Sequence, residues 1–226
     1  MWKDRKQKLI GFSYLCVLLF IIIFILYLFK ENIRSSPNKI KIFIAIALMP
    51  LLLRLLVLIC GVIIEKQSII YLFRPLVFLN FFSIPLLIIG CLFIFLRNEG
   101  VKFNTNYVFL IILLLGYLVL IVFFKIDIKI NTIFGFVLNI RDNIIPTLIY
   151  LIIISGLTVI TLLFIDKPYS NKFGMRILLI SLIVAIIEYV FFIGGVKIFP
   201  YPLIGEIFIL FSTFKAIETF KKYNQK

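Results

Sequence analysis

Four charged side chains interrupt long apolar runs: Arg54 in PLLLRLLVLIC, Arg74 in IIYLFRPLVF, Glu188 in AIIEYVFFIGG and Glu206 in PLIGEIFILF. A charge at the centre of a membrane helix costs about 2.5–3.5 kcal/mol on insertion scales. An isolated one is therefore expensive, whereas a pair with satisfied hydrogen bonds is tolerated. Arginine suits a carboxylate because its planar fork can bond both oxygens. The chemistry open to this set is ion pairing and the holding of polar or charged groups. Imidazole chemistry is excluded, because the chain contains no histidine. Zinc sites of the hydrolase type, triads with an imidazole base and phospho-accepting histidines are thereby ruled out. No HExxH, GxSxG, Walker A or dinucleotide glycine fingerprint occurs, and the other carboxylates are too scattered to ligate a metal. A membrane enzyme would have to work with Glu and Arg alone, so a non-catalytic protein without cofactor or metal is expected.

The elements that carry these charges follow from composition. The chain has 226 residues, 63% of them hydrophobic, with a mean hydropathy of +1.20. Soluble domains hold about 45–50% apolar residues, so this chain belongs with integral membrane proteins. A span needs roughly 20 apolar residues, and seven stretches meet that length: 9–29, 41–64, 72–96, 105–124, 143–165, 175–194 and 199–219. The expected fold is all-α, a single integral membrane domain over 1–226 built as a bundle of about seven transmembrane helices. The first run is too long for a signal-peptide core and lacks a cleavage site after it, so a retained helix is expected. Cys16, Cys60 and Cys91 all fall within spans and read as buried, small apolar residues rather than a disulfide framework.

The net charge is +14. Most Lys and Arg flank the spans, as topology rules and anionic lipid headgroups demand. The expected partners are the lipid bilayer, with anionic lipids at the basic loops, and another membrane or signalling protein; nucleic acid is not expected. Orientation follows the positive charges of alternate loops. The N-terminus and the first loop carry four each and cancel. Of the rest, the N-terminal side holds Lys66, Lys125, Lys129, Arg141 and Lys197. The opposite side holds Arg97, Lys102, Lys167, Lys172, Arg176, Lys215, Lys221, Lys222 and Lys226. Nine against five places the protein in the cell membrane with its N-terminus outside and its C-terminus cytoplasmic.

At ~1.5 Å per residue, Arg54 lies about 15 Å from the N-terminal-side end of its span. Arg74 lies about 5–10 Å deep and the two glutamates roughly 9–11 Å. All four fall in one leaflet. The expectation is that Arg54 or Arg74 pairs with Glu188 or Glu206, tying the second and third spans to the sixth and seventh. Such a cluster either fixes helix register or borders a polar cavity, while Arg74 and Glu206 are shallow enough to snorkel. Asn80, Ser83, Tyr189 and Tyr201 are candidate lining residues, although each equally suits a helix–helix hydrogen bond. Ser155, Thr158 and Thr161 share part of a face and read as close packing. Lys215 and Glu218, at i and i+3, read as a solvated helix exit.

The connecting segments differ in character between the two sides. EKQSIIYLFRPL, KIDIKINTIFGFVLNIRDN and GGVKIFPYPLIGE are apolar or aromatic with Gly and Pro interruptions, which suits interfacial caps or re-entrant turns. KIDIKIN alternates and reads as a short surface strand. Loops on the other side are plainly hydrophilic. Two segments, FLNFFSIPLLIIGCLFIFLRN and SNKFGMRILLISLIVAII, carry a likeness beyond this pattern. With seven spans, short loops and the N-out, C-in order, the chain resembles the seven-helix membrane sensor domains of bacterial histidine kinases and related receptors. That resemblance implies a sensor-like module, and no functional residue carries over from it. Such proteins attach a signalling domain where this sequence ends at Lys226, so a separate output partner is expected. The alternative is a small transporter or transporter subunit, since paired charges also line substrate pathways, although no internal repeat is evident.

Overall fold

The apolar runs form helices wherever nothing interrupts them, and the interruptions build the rest. The computed structural model describes residues 2–64, 67–96, 105–131, 133–140 and 144–224. The helices are α1 (Trp2–Ser35), α2 (Asn38–Ile63), α3 (Gln67–Leu72), α4 (Asn80–Leu96), α5 (Thr105–Phe123), α6 (Ile144–Phe164), α7 (Lys172–Ile193) and α8 (Ile204–Asn224). A 3₁₀ turn, Arg74–Phe78, joins α3 to α4. Among the described residues, five segments are long and apolar enough to cross a bilayer: Leu9–Ser35, Asn38–Ile63, Arg74–Leu96, Ile144–Phe164 and Lys172–Ile193. The apolar part of α5, Tyr107–Phe123, is shorter, and α8 ends in Lys215, Glu218 and Lys221.

α4 is the central helix. It packs against α2, α5, α6, α7 and α8, and the apolar stretch Arg74–Leu96 that contains it is far more buried than those of α1 and α6. Outward faces stay apolar, for example Ile111, Ile112 and Leu115 on α5 or Ile152 and Leu163 on α6. That is the pattern expected where hydrocarbon rather than water is the solvent.

Two expected helix bounds are corrected. The third span is not one helix over 72–96, because Pro75 lacks an N–H and disfavours helical geometry at the residue before it. The chain there becomes α3, a 3₁₀ turn and α4. The last helix starts at Ile204, not 199, because Pro200 and Pro202 hold FPYPL in irregular backbone. The bundle is helical as expected, with one small addition: β1 (Ile126–Asn131) and β2 (Gly135–Ile140) form an antiparallel hairpin, with Ile126 opposite Ile140 and Asn131 opposite Gly135. The strand read from KIDIKIN is thus the first arm of a hairpin. Gly135 turns it with φ +70° and sits so near α2 that an added Cβ would lie 2.6 Å from Gly61 O. Both features require glycine.

The cysteines also differ from expectation. Cys91 is buried, Cys60 is partly buried and Cys16 lies on the outer surface. The basic residues Lys66, Arg97, Lys102, Arg141 and Lys226 lie outside the described residues.

Candidate functional site

Arg54 lies nine residues before Ile63, so about 14 Å along α2 from that end. It is 1% exposed and meets Glu206, 2% exposed, with Nη1 donating to both carboxylate oxygens at 2.6 Å. Its Nε donates to Val77 O at 2.8 Å. That acceptor comes from the 3₁₀ segment beside Pro75, where the interrupted ladder leaves carbonyls open to side chains; Pro75 O likewise accepts from the Tyr117 hydroxyl. The Tyr201 ring lies 5.8 Å from the guanidinium carbon, within cation–π range. A single arginine therefore ties together α2, the 3₁₀ turn and α8.

Glu206 stands in the first turn of α8, where the helix dipole favours a carboxylate. It can sit so deep because the segment before α8 dips into the bundle. Glu188, from α7, holds that entry. Its Oε1 accepts from the backbone N–H of Leu203 and Ile204, both at 2.9 Å, and its Oε2 accepts from Gly205 N–H at 2.6 Å. These donors open a helix and have no partner within it. Gly205 allows the approach, since an added Cβ would lie 2.7 Å from Ala185 Cα.

The structure thus brings Arg54 and Glu206 into contact and gives the other two charges separate tasks. Glu188 caps α8. Arg74 donates to Ile126 O at the start of the hairpin and stacks over Tyr71 at 4.4 Å, so it anchors the hairpin rather than joining the pair. Asn80 and Tyr189 meet each other: Asn80 Nδ2 donates to the Tyr189 hydroxyl at 2.9 Å. The Tyr189 ring packs on Tyr150, 4.7 Å between centroids. Ser83 is fully buried nearby. Thr158 and Thr161 donate back to Ile154 O and Leu157 O of their own helix, and Lys215 pairs with Glu218 at 2.8 Å.

Arg54, Asn80 and Tyr189 line a polar chamber of about 20 Å³ together with Asn139, Thr147 and Tyr201, and with Phe78, Phe81, Phe192 and Pro202 as its apolar lining. It accommodates a guest the size of one water. Asn80 Oδ1, buried here, finds no donor among the described residues. The hairpin roofs the chamber. The Tyr201 hydroxyl donates to Leu138 O at 3.1 Å and accepts from Leu138 N–H at 2.9 Å, bonding both polar groups of one β2 residue. Tyr14 on α1, 2% exposed, braces the roof through Phe134 and Phe199.

Beyond Tyr201, Pro202 and Phe192 lies a second space of about 280 Å³, between the outer face of α7 and residues 196–204. Its lining is mostly apolar, including Ile187, Phe191 and Ile198, with Glu188 and Lys197 as its charged members. Sequence reading did not single out Tyr14, Thr147, Asn139 or Val77. Their placement depends on the hairpin and the break at Pro75, and only the alternation of KIDIKIN and the proline itself signal those. No family model matches the chain, and no curated protein matches it.

Proposed function

We propose that this chain is a non-catalytic, multi-pass membrane protein of the cell membrane that works as a sensor-like binding module. It crosses the bilayer with α1, α2, α4, α5, α6, α7 and α8, its C-terminus in the cytoplasm. The ligand enters the cleft outside α7, and the Arg54–Glu206 pair registers its presence. The observation that carries this reading is the shared wall: Phe192, Tyr201 and Pro202 line both the cleft and the polar chamber. Pressure on Tyr201 from the cleft reaches Arg54 on one side and Leu138 of the hairpin on the other. Signalling would then pass to a separate protein.

Native mass spectrometry of the purified protein, released gently from detergent, tests this. A reproducible adduct that disappears in Ile187→Trp, which fills the cleft, supports the module. A bare chain, or one recovered only with a second protein, replaces it with a partner-dependent subunit. The pair itself is tested with R54L/E206L, which removes both charges. If it folds and keeps the adduct with unchanged hairpin protection, Arg54 is purely structural. A transport path would instead need a polar route to the opposite side. The packing of Leu51, Leu55, Ile84, Leu87 and Ile88, all buried in the α2 and α4 core, favours the binding reading.

A further inference from the structure

The cleft outside α7 has a chemical character that narrows its occupant. Its walls are Val184, Ile187, Phe191, Phe192, Ile198 and Phe199, and Ile187, Phe191 and Ile198 remain exposed at its mouth. About 280 Å³ is close to the lower end of the volumes that hold small ligands. An apolar slot that opens sideways from a membrane helix is solvated by lipid chains, not by water. Its rim is charged. Lys197 places its ammonium over the Phe192 ring at 4.1 Å, and the charge of Lys129 on β1 is felt there. Partial burial and that second cation hold the Lys197 ammonium below the usual lysine range. Among the described residues neither lysine makes an ion pair, while Arg54, Lys215 and Lys221 each do. Glu188, the carboxylate in the lining, has both oxygens taken by three N–H groups of the α8 entry. Those donors satisfy the carboxylate from within the protein, so neither lysine is taken as its partner.

We propose that this cleft holds one acyl chain of an anionic phospholipid drawn from the bilayer, with its phosphate held between Lys197 and Lys129. The proposal rests on the binding-module reading and names its ligand class. The phosphate supplies the counter-charge that neither lysine finds among the described residues, and the chain exchanges a lipid surrounding for an apolar cleft without exposure to water. The chain end reaches Tyr201 and Pro202, the wall of the polar chamber.

The test uses full-length protein in mixed micelles containing equal amounts of phosphatidylglycerol and phosphatidylcholine with identical acyl chains, read by native mass spectrometry. The expected result is one retained phosphatidylglycerol, preferred about tenfold over phosphatidylcholine. K129Q/K197Q should abolish that preference at unchanged melting temperature, and Ile187→Trp should exclude both lipids. K167Q/K172Q, at the other end of α7, should leave the preference intact. Equal retention of the two lipids by the wild type overturns the proposal. So does a preference that survives K129Q/K197Q, or one that K167Q/K172Q removes equally. A non-lipid adduct that persists in K129Q/K197Q overturns the lipid and leaves the binding module standing. Absence of any adduct and any retained lipid overturns both.

Discussion

At the scale of single residues, the buried pair governs stability. Arg54→Gln leaves the Glu206 carboxylate enclosed without its counter-charge, and breaking a buried pair from one side costs about 3–5 kcal/mol. Thermal unfolding in detergent should show that loss, and R54L/E206L should recover most of it, because two apolar groups of similar bulk remove both desolvation penalties. A double variant as unstable as the single one would mean that the Val77 contact, not the ion pair, is the main contribution. Glu188 makes a different prediction. Glu188→Ala strands three N–H donors at the start of α8, and each lost buried partner costs about 1–3 kcal/mol. Glu188→Gln keeps one acceptor oxygen and should lose clearly less. Equal melting temperatures for the two variants would refute the capping role. The sequence made the paired charges legible because charge in an apolar run has few tolerated fates. It could not distribute them. Glu188 and Glu206 sit at similar depth on neighbouring helices, and only the α8 start at Ile204 decides that one caps while the other pairs.

At the scale of elements, the interruptions position the site. Helices α1, α2, α6 and α7 follow directly from the length of their apolar runs, since hydrophobic runs of that length form helices irrespective of what they pack against. The irregular pieces were legible as a class, through Pro75, Pro200, Pro202 and the alternation of KIDIKIN, but their contacts are long-range. Tyr201 meets Leu138 across 63 residues, and no local pattern encodes that pairing. Gly135 is the sensitive point of the hairpin. Gly135→Ala adds a left-handed strain of roughly 1–2 kcal/mol and drives a methyl group toward Gly61 O. The hairpin should lift from α2, and hydrogen exchange at Val137 and Leu138 should accelerate while α4 stays protected. Unchanged exchange at those amides would show that the hairpin is held by Tyr201 and Arg74 without α2.

At the scale of the whole molecule, the two ends of the bundle are unlike. The hairpin, the 3₁₀ turn and the segment before α8 gather at the end nearest Arg54 and cover it. The other end is tied by Glu31 to Lys221 and by Asn32 Nδ2 donating to Lys41 O. In the proposed orientation the excess of positive charge keeps that end cytoplasmic, and the end nearest Arg54 faces outward. In a variant without Cys16, Cys60 and Cys91, cysteines placed singly at Lys129, Lys39 and Lys167 report this with an impermeant maleimide. All three positions are exposed. Lys129→Cys should label on intact cells, whereas Lys39→Cys and Lys167→Cys should label only after permeabilisation. The reverse pattern would turn the end nearest Arg54 to the cytoplasm and make the ligand an intracellular one. Labelling of Lys129→Cys and Lys167→Cys from the same side would mean that α6, which alone separates them, does not cross the bilayer. The proposed lipid site depends on that crossing, because in the proposed orientation it puts Lys129 and Lys197 on the outer side and Lys167 and Lys172 on the inner one.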